Sequence, residues 1–521
     1  MKSREFRLTY IGHAGWLIEG PEFKAAFDPW FNPEGTFMNS WHQFPDNSHL
    51  CAEDLLSGLD FLYISHSHCD HFDPWTLEKV DKDTCIVIPR FRDKVLRDGL
   101  RDLGFVNILE LREGELYKTS GVHVQVIIEE GYNDRDSAIV LESEGFKVLN
   151  LNDCHPSYEK VSKYSKNTDL LLMQCSSAIW WPCVYDYSEE EMLKRCRDKK
   201  RNVLRRAKQY ASCIKPKYVV PNAGPPLFLH EEFAFWDETR QEDYNPFPLH
   251  DEICNHLKES GHPSMLVIPG SVVSVVDGEV ENNTNLKLRD EIYSDFKNYL
   301  SVMREKKRKR GHLNFDSLQE QDTSFLVENF SSLVREIRKQ SRVFIHKINF
   351  PVLIEFIDHS KWVIDFSLDP EHCFSPYGSQ DYAYRFTFDP RIVSRLIKRK
   401  YIDFDEYFLS MRFSCHREKD VFNEFLFSMF KNFDIKRFKL SENIFMTNDI
   451  ASERQADTFM LDVGGRVKKV QKYCPHRFVN LEECGIVKGN TITCPLHNWT
   501  FDLDSGECMT ASEYCLTIED V

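Results

Sequence analysis

Two short loops near the C-terminus carry paired cysteine and histidine residues. The first loop reads Cys474-Pro-His476 and the second reads Cys494-Pro-Leu-His497, with seventeen residues between His476 and Cys494. Two thiolates and two imidazoles are the donor set of an iron–sulfur cluster in which histidines replace two cysteines on one iron. Structural zinc is the alternative, since it also uses two cysteines and two histidines. Zinc fingers place the like residues together, whereas each loop here holds one of each, so the spacing favours a one-electron [2Fe-2S] centre.

A second group of metal-binding side chains lies near the N-terminus. His66, His68, Asp70 and His71 form an H-x-H-x-D-H run directly after the strand-like segment 61–65. His66 and His68 alternate and can converge on one ion, while Asp70 and His71 turn towards a neighbouring site. Imidazole and carboxylate ligands suit zinc, iron or manganese. A solvated, histidine-rich loop is the alternative, but the position at the end of a strand favours a metal site.

This run resembles the metallo-β-lactamase superfamily, whose αββα sandwich holds one or two metals at one edge. The resemblance implies a metal-bridging role for Asp153, which follows the strand predicted over residues 146–151. Asn222 stands where the superfamily has its last histidine, so His155 and His230 are the nearby replacements. His13 is similar to a position near the pocket of lactonase-like members. The metal ligands expected in this region are His66, His68, Asp70, His71, Asp153 and His230.

The segment His497-Asn-Trp-Thr-Phe-Asp, after the second cysteine–histidine loop, resembles Rieske [2Fe-2S] domains of the oxygenase or ferredoxin type. A Rieske domain together with a metallo-β-lactamase-like domain resembles the CMP-N-acetylneuraminate hydroxylase family. Stretches such as Leu-Thr-Tyr-Ile-Gly-His13-Ala and Phe-Asp28-Pro-Trp30 carry that likeness. The family has its Rieske domain at the N-terminus, whereas here it is at the C-terminus. We therefore expect a relative with rearranged domains, whose substrate need not be a nucleotide sugar.

The elements around these groups predict a multidomain protein of α/β and β class. Strand-like runs alternate with helical stretches over residues 1–285, which indicates a layered α/β domain, here the expected αββα sandwich. Residues 286–437 predict an α+β middle domain of unknown role, loosely similar to sterol-carrier folds. Short β-rich runs over residues 438–521, including 443–446, predict an all-β domain. This last domain is expected to present both cysteine–histidine loops at one tip.

A long helix predicted over residues 188–210 is rich in lysine and arginine. One interpretation is a solvated helix face. The other is a basic lip that receives a phosphate or carboxylate group, because arginine binds such groups through two parallel hydrogen bonds. The sequence leaves both interpretations open.

Composition narrows the classes of protein. A net charge of −16 over 521 residues argues against nucleic acid or anionic membrane as the main partner. No stretch approaches the roughly 18 uninterrupted apolar residues of a transmembrane helix, and the first residues contain no signal-peptide core. Sixteen scattered cysteines fit free thiols and metal ligands. We therefore expect a cytoplasmic protein.

Together these features predict an oxygenase. An external reductase, or a cytochrome or ferredoxin, is expected to reduce the cluster at Cys474, His476, Cys494 and His497. One or two non-haem irons at the N-terminal site would then use dioxygen to hydroxylate a small anionic or nucleotide-sugar-like molecule. No G-x-G-x-x-G fingerprint follows a strand, so nicotinamide and flavin chemistry must reside on another protein. Electron transfer between subunits of a homo-oligomer is compatible with this scheme.

Two alternatives come from other classes. One is a zinc-dependent lactonase or phosphodiesterase that uses its Rieske domain as a redox sensor. The other is a non-catalytic electron-transfer or scaffold protein with a decayed metal site. The kind and number of bound metals separate these classes, because zinc at the N-terminal site favours hydrolysis and iron favours oxidation.

Overall fold

The computed structural model describes residues 5–131, 136–311, 323–399, 403–447 and 456–521, which fall into two compact units. Within these ranges the first unit holds residues 5–129, 136–178 and 193–311. The second unit holds residues 130–131, 179–192, 323–399, 403–447 and 456–521. The first unit thus continues past residue 285, the predicted end of the first domain.

Two β-sheets provide the frame of the first unit. In chain order their strands are β1 (Glu5–Gly12), β2 (Gly15–Glu19), β3 (Lys24–Phe27), β4 (Phe61–Tyr63), β5 (Cys85–Pro89), β6 (Ile108–Leu111), β7 (Tyr117–Thr119), β8 (Val122–Ile128), β9 (Ser137–Ser143), β10 (Phe146–Asn150), β11 (Leu170–Gln174), β12 (Tyr218–Asn222), β13 (Val272–Val276) and β14 (Glu279–Asn283). One sheet has the order β14-β13-β1-β2-β3-β4-β5-β6 and the other β12-β11-β10-β9-β8-β7.

The two sheets share one hydrophobic core. Phe6, Leu8 and Tyr10 alternate along β1 and are buried together with Val148 and Leu172 of the other sheet. This alternation is the strand periodicity of two, which sends every second side chain to the same face. Helices accompany the sheets, and the predicted αββα sandwich of the metallo-β-lactamase-like fold is confirmed. The helices are α1 (Ala52–Leu56), α2 (Pro74–Leu77), α3 (Val95–Asp102), α4 (Tyr158–Ser162), α5 (Glu189–Ile214), α6 (Ala234–Glu238), α7 (His250–Glu259), α8 (Leu286–Ser294) and α9 (Phe296–Lys309).

Some basic side chains of helix α5 form salt bridges within the first unit. Arg197 Nε lies 3.0 Å from Asp243 Oδ2, and Lys200 Nζ lies 2.8 Å from Glu252 Oε1. These pairs favour the interpretation as a helix face over that of a wholly free basic lip. Among the described helices, α5 included, none is both long and apolar enough to cross a membrane.

A five-stranded sheet with surrounding helices forms the first part of the second unit. Its strands are β15 (Val352–Phe356), β16 (Lys361–Ile364), β17 (Phe374–Pro376), β18 (Tyr384–Phe388) and β19 (Ser414–Arg417), in the order β17-β16-β15-β18-β19. Its helices are α10 (Thr323–Gln340), α11 (Phe344–Lys347), α12 (Pro390–Ile397), α13 (Asp405–Leu409), α14 (Glu424–Lys431) and α15 (Ile435–Met446). Buried aromatic rings such as Phe386, Phe408 and Phe430 fill the space between them. The arrangement is α+β, as predicted.

The prediction of a β-rich run at residues 443–446 is wrong, because these residues end the helix α15. Asp434 caps this helix by accepting hydrogen bonds from the N–H groups of Lys436 and Arg437. Glu442, on the same helix, accepts hydrogen bonds from the N–H groups of residues 342–344. A short apolar run does not distinguish a strand from a turn of buried helix by its periodicity alone.

Two small antiparallel sheets complete the second unit. One joins β20 (Thr458–Val463), β21 (Arg466–Gln471) and β25 (Ile518–Asp520), and the other joins β22 (Ile486–Lys488), β23 (Thr491–Thr493) and β24 (Thr500–Asp502). The short helix α16 (Leu481–Cys484) lies between β21 and β22 in the chain. The first cysteine–histidine loop follows β21, and the second connects β23 to β24. The predicted β-rich C-terminal region is therefore confirmed, while residues 448–455 of it lie outside the described residues.

Candidate metal centres

Parallel strands bring the N-terminal site together. Strands β3 and β4 are parallel neighbours, so Asp28 after β3 and the run from Ser65 to His71 after β4 meet at one sheet edge. In the other sheet β10 and β11 are also parallel, and Asp153 follows β10. Carboxyl ends of parallel strands are a common place for ligand-binding residues in α/β proteins.

His71 is held on one side of its ring and faces acidic residues on the other. Its Nδ1 lies 2.8 Å from Asp28 Oδ2, and Ser65 donates its N–H group at 2.8 Å to the same carboxylate. Its Nε2 lies 3.4 Å from Asp153 Oδ1 and 3.7 Å from Asp70 Oδ2. With Nδ1 committed to Asp28, Nε2 is the nitrogen available for a metal. A carboxylate behind the imidazole is the usual way in which proteins orient a metal-binding histidine.

Two groups of donor atoms share His71. One contains His13, Asp70 and His71, and the other contains His66, His71 and Asp153. The donor atoms of each group lie within 4.8 Å of one another. Each group offers two imidazoles and one carboxylate, the donor set found in non-haem Fe(II) oxygenases. Zinc hydrolases use a similar set, so the donors alone leave the metal open.

The burial of these donors fits a bound cation. Asp70 Oδ1, His71 Nε2 and Asp153 Oδ1 are buried and have no hydrogen-bond partner among the described residues. Buried polar atoms nearly always have a hydrogen-bond partner, so three such atoms without one at the same place indicate a missing partner. Burial opposes a positive charge on His71, but Asp70, Asp153 and Asp28 outweigh it and raise the pKa of His71 well above its ordinary value. The same carboxylates would attract a metal ion.

The structure brings together most of the predicted ligands. His68 Nδ1 lies 2.9 Å from His66 Nε2, so the two alternating histidines do converge, although His68 lies outside both three-residue groups. His230 lies elsewhere: its Nε2 is 2.8 Å from the backbone oxygen of Asn39, and its ring stacks on His42. Among the described residues it belongs to neither group.

Three residues near the site escaped the sequence-based set of ligands. Asp28 holds His71, Asp136 Oδ1 lies 3.4 Å from His66 Nδ1, and the buried Asn222 donates to Asn150 Oδ1 at 3.2 Å. The signal for Asp28 was its place directly after β3, since polar residues at the ends of neighbouring parallel strands share an edge. His13 was noted only for its likeness to lactonases, and the structure places it in a donor group.

The two cysteine–histidine loops share one backbone design. In each loop the cysteine N–H donates to the carbonyl five residues later, at 2.9 and 2.8 Å. The residue four positions after the cysteine donates back to the cysteine carbonyl, and it has a positive φ of 54° in the first loop and 61° in the second. These partners are Val479 and Phe478 in the first loop, and Trp499 and Asn498 in the second. The same turn therefore carries the cysteine and the histidine of both loops.

The four predicted cluster ligands meet between these loops. Burial and the neighbouring Cys494 thiol raise the pKa of Cys474 well above its ordinary value, while the N–H groups of His476 and Arg477 point at its sulfur. The ring centroids of His476 and His497 are 4.8 Å apart. Two adjacent buried thiols, two imidazoles and backbone donors aimed at sulfur fit a [2Fe-2S] cluster with mixed ligation.

Three family models match successive parts of the chain. Residues 7–223 match the Beta-lactamase superfamily domain, residues 326–447 match the Rv3818-like, SCP2-like domain, and residues 441–515 match the Rieske [2Fe-2S] domain. The middle match agrees with the predicted likeness to sterol-carrier folds. A Rieske domain implies a [2Fe-2S] cluster, and its C-terminal place agrees with the prediction.

Curated relatives extend along the whole chain. A protein of Mycolicibacterium smegmatis named for a Rieske 2Fe-2S iron–sulfur centre is 30% identical over 528 residues, which cover 97% of this chain and 98% of the relative. A protein of the same description from Mycobacterium tuberculosis is 29% identical over 522 residues, with 97% and 98% covered. The cytidine monophosphate-N-acetylneuraminic acid hydroxylase of Mus musculus is 20% identical over 449 residues, with 82% and 74% covered. The similarity therefore includes more than one domain in each case.

Proposed function

Because the chain belongs to the family of these mycobacterial Rieske 2Fe-2S iron–sulfur proteins, we propose that it is a Rieske-dependent non-haem iron oxygenase that hydroxylates a small molecule. One observation supports this proposal above others: a single chain holds both the cysteine–histidine loops and two groups of two histidines and one carboxylate. When bound, the cluster would supply electrons one at a time and the iron would use them with dioxygen to oxidise the substrate.

In this proposal the protein side chains hold the metal ions and orient the metal-binding histidines. Asp28 fixes the ring of His71, and the carboxylates of Asp70 and Asp153 make the N-terminal site attractive to a cation. The proposed iron ligands are His66, His71, Asp153, Asp70 and His13, with His68 beside them. The proposed cluster ligands are Cys474, His476, Cys494 and His497.

The substrate and the electron donor are further parts of the proposal. Hydroxylases among the relatives carry a nucleotide sugar in their names, which makes a small anionic molecule the first class to test. The remaining partners are dioxygen and an external electron donor. We place the metal chemistry in residues 1–285 and the cluster in residues 438–521.

Metal analysis tests the proposal first. Protein purified without oxygen should contain about three or four irons per chain, two in the cluster and the rest at the N-terminal site. About two irons with zinc at the N-terminal site would instead support a metallo-hydrolase, since a similar donor set serves zinc enzymes.

Oxygen consumption tests the reaction itself. The cluster is reduced without oxygen, air is admitted, and oxygen uptake is followed with and without CMP-N-acetylneuraminate as the first probe. His66→Ala and Cys474→Ala should both lose substrate-dependent uptake, while only His66→Ala keeps the visible spectrum of the cluster. His372→Ala and Cys51→Ala change exposed residues and serve as matched controls. Full oxidative activity in His66→Ala would contradict the N-terminal iron site.

A further inference from the structure

A buried carboxylate from α14 faces one of the proposed cluster ligands. Glu424 begins this helix and is only 8% exposed. Its Oε1 lies 3.6 Å from Nε2 of His476, and its Oε2 accepts a hydrogen bond from the Tyr514 hydroxyl at 2.7 Å. All three residues lie in the second unit, so the contact is internal to one compact body. A buried carboxylate is costly unless it has polar partners, and here a phenol hydroxyl bonds one oxygen while an imidazole lies at ion-pair distance from the other.

The start of α14 is fixed against the segment that carries Tyr514. Phe422 N–H donates to Thr510 O at 3.1 Å, and Ser512 N–H donates back to Phe422 O at 2.8 Å. The side chain of Asn423 donates to Ser512 Oγ at 2.9 Å. These three bonds hold the two residues directly before Glu424 in place. The carboxylate is therefore presented by a rigid support and not by a free loop.

The orientation of the His476 ring is fixed by contacts on its face and on its edge. Trp499 stacks on it with a centroid distance of 3.8 Å and an interplanar angle of 6°. The edge that carries Nε2 is turned to Glu424, which leaves Nδ1 as the nitrogen available to iron.

We propose that Glu424 is a positioning residue for the Rieske cluster: it pairs with the Nε2–H group of His476, directs Nδ1 to the iron, and lowers the reduction potential of the cluster. This inference rests on the proposed [2Fe-2S] cluster. A fixed negative charge beside a ligand stabilises the oxidised, more positive cluster over the reduced one. Helix α14 belongs to the region matched by the SCP2-like model. Through Glu424 this region would influence the reduction potential of the Rieske cluster.

The test compares Glu424→Gln with the unchanged full-length protein. Each is titrated potentiometrically without oxygen, and the reduced cluster is followed by electron paramagnetic resonance (EPR). Loss of the charge should favour reduction about tenfold in the one-electron equilibrium constant, a positive shift of about 59 mV. Glu424→Asp, which keeps the charge, should return the potential towards the original value. EPR detects only loaded clusters, so incomplete loading does not hide the result.

Glu513→Gln is the matched control, because it removes the same charge one residue from Tyr514. Its carboxylate lies 3.8 Å from Lys347 Nζ and points to that residue, so the potential should not move. An unshifted potential in loaded Glu424→Gln, or an equal shift in Glu513→Gln, would overturn the role of Glu424. The absence of any Rieske signal in the unchanged protein would overturn the cluster itself, which separates the two failures.

Discussion

Asp28 Oδ2 lies 2.8 Å from His71 Nδ1, and both side chains are completely buried at the edge of the eight-stranded sheet. Because His71 belongs to both donor groups, this one contact orients a ligand that either arrangement of metal would need. The proposed oxygenase therefore depends on a carboxylate that lies outside both donor groups found among the described residues.

Asp28→Asn should weaken metal binding at the N-terminal site by about 10- to 100-fold, the usual effect of removing such a partner. The amide accepts a weaker hydrogen bond from His71 and offers an N–H group that favours the wrong tautomer. Competition with a chromogenic chelator measures the affinity. Asp60→Asn is the control, since Asp60 is exposed and accepts from the N–H group of Lys24. Equal affinities in all three proteins would contradict the orienting role.

His13→Ala and His230→Ala test which of the two histidines binds metal. The structure places His13 in a donor group, whereas the sequence predicted His230. His13 Nε2 lies 2.9 Å from Asp70 Oδ2 inside a donor group, whereas His230 contacts Asn39. We expect His13→Ala to lose up to one metal ion per chain and His230→Ala to keep its full complement. Elemental analysis after gel filtration gives the count. The reverse pattern would restore His230 as the ligand.

Cys494→Ala should abolish the visible absorption and the EPR signal of the cluster while the metal at the N-terminal site remains. The reason is that the two sets of ligands have no residue in common. Cys484→Ala changes a cysteine outside the two loops and should leave a cluster with a reduction potential between about −150 and +300 mV. Retention of the signal in Cys494→Ala would remove this cysteine from the ligand set.

His250 should make the first unit less stable in acid. Burial lowers the pKa of this histidine from 6.5 to about 4, and its Nδ1 lies 3.1 Å from the Tyr293 hydroxyl. The unfolded chain takes up the proton first as the pH falls. The stabilisation by neutral His250 is therefore complete above pH 6.5 and is lost as the pH falls through 4, at a cost of about 3 kcal/mol.

Urea unfolding at several pH values between 7.5 and 4 measures this loss. His250→Gln removes the titrating group, so its unfolding free energy should fall less steeply over the same range. Equal slopes in the two proteins would show that His250 does not govern the acid response.

Much of the chemistry of this protein could be predicted because it lies in short runs. The residues from His66 to His71 follow one strand, and each cysteine–histidine pair lies within one turn, so local backbone geometry alone brings them together. Alternation along β1 likewise predicts which face is buried. These features depend on neighbours a few residues away, and a sequence displays such neighbours directly.

Only the tertiary structure decided which distant residues support those runs. Asp28 reaches His71 across 43 positions because β3 and β4 are parallel neighbours. Glu424 reaches His476 because the start of α14 pairs with residues 510–512. The helix at 443–446 depends in the same way on Glu442, which binds backbone N–H groups about a hundred positions away. Strand order and core packing determine such contacts, and no local spacing encodes either one.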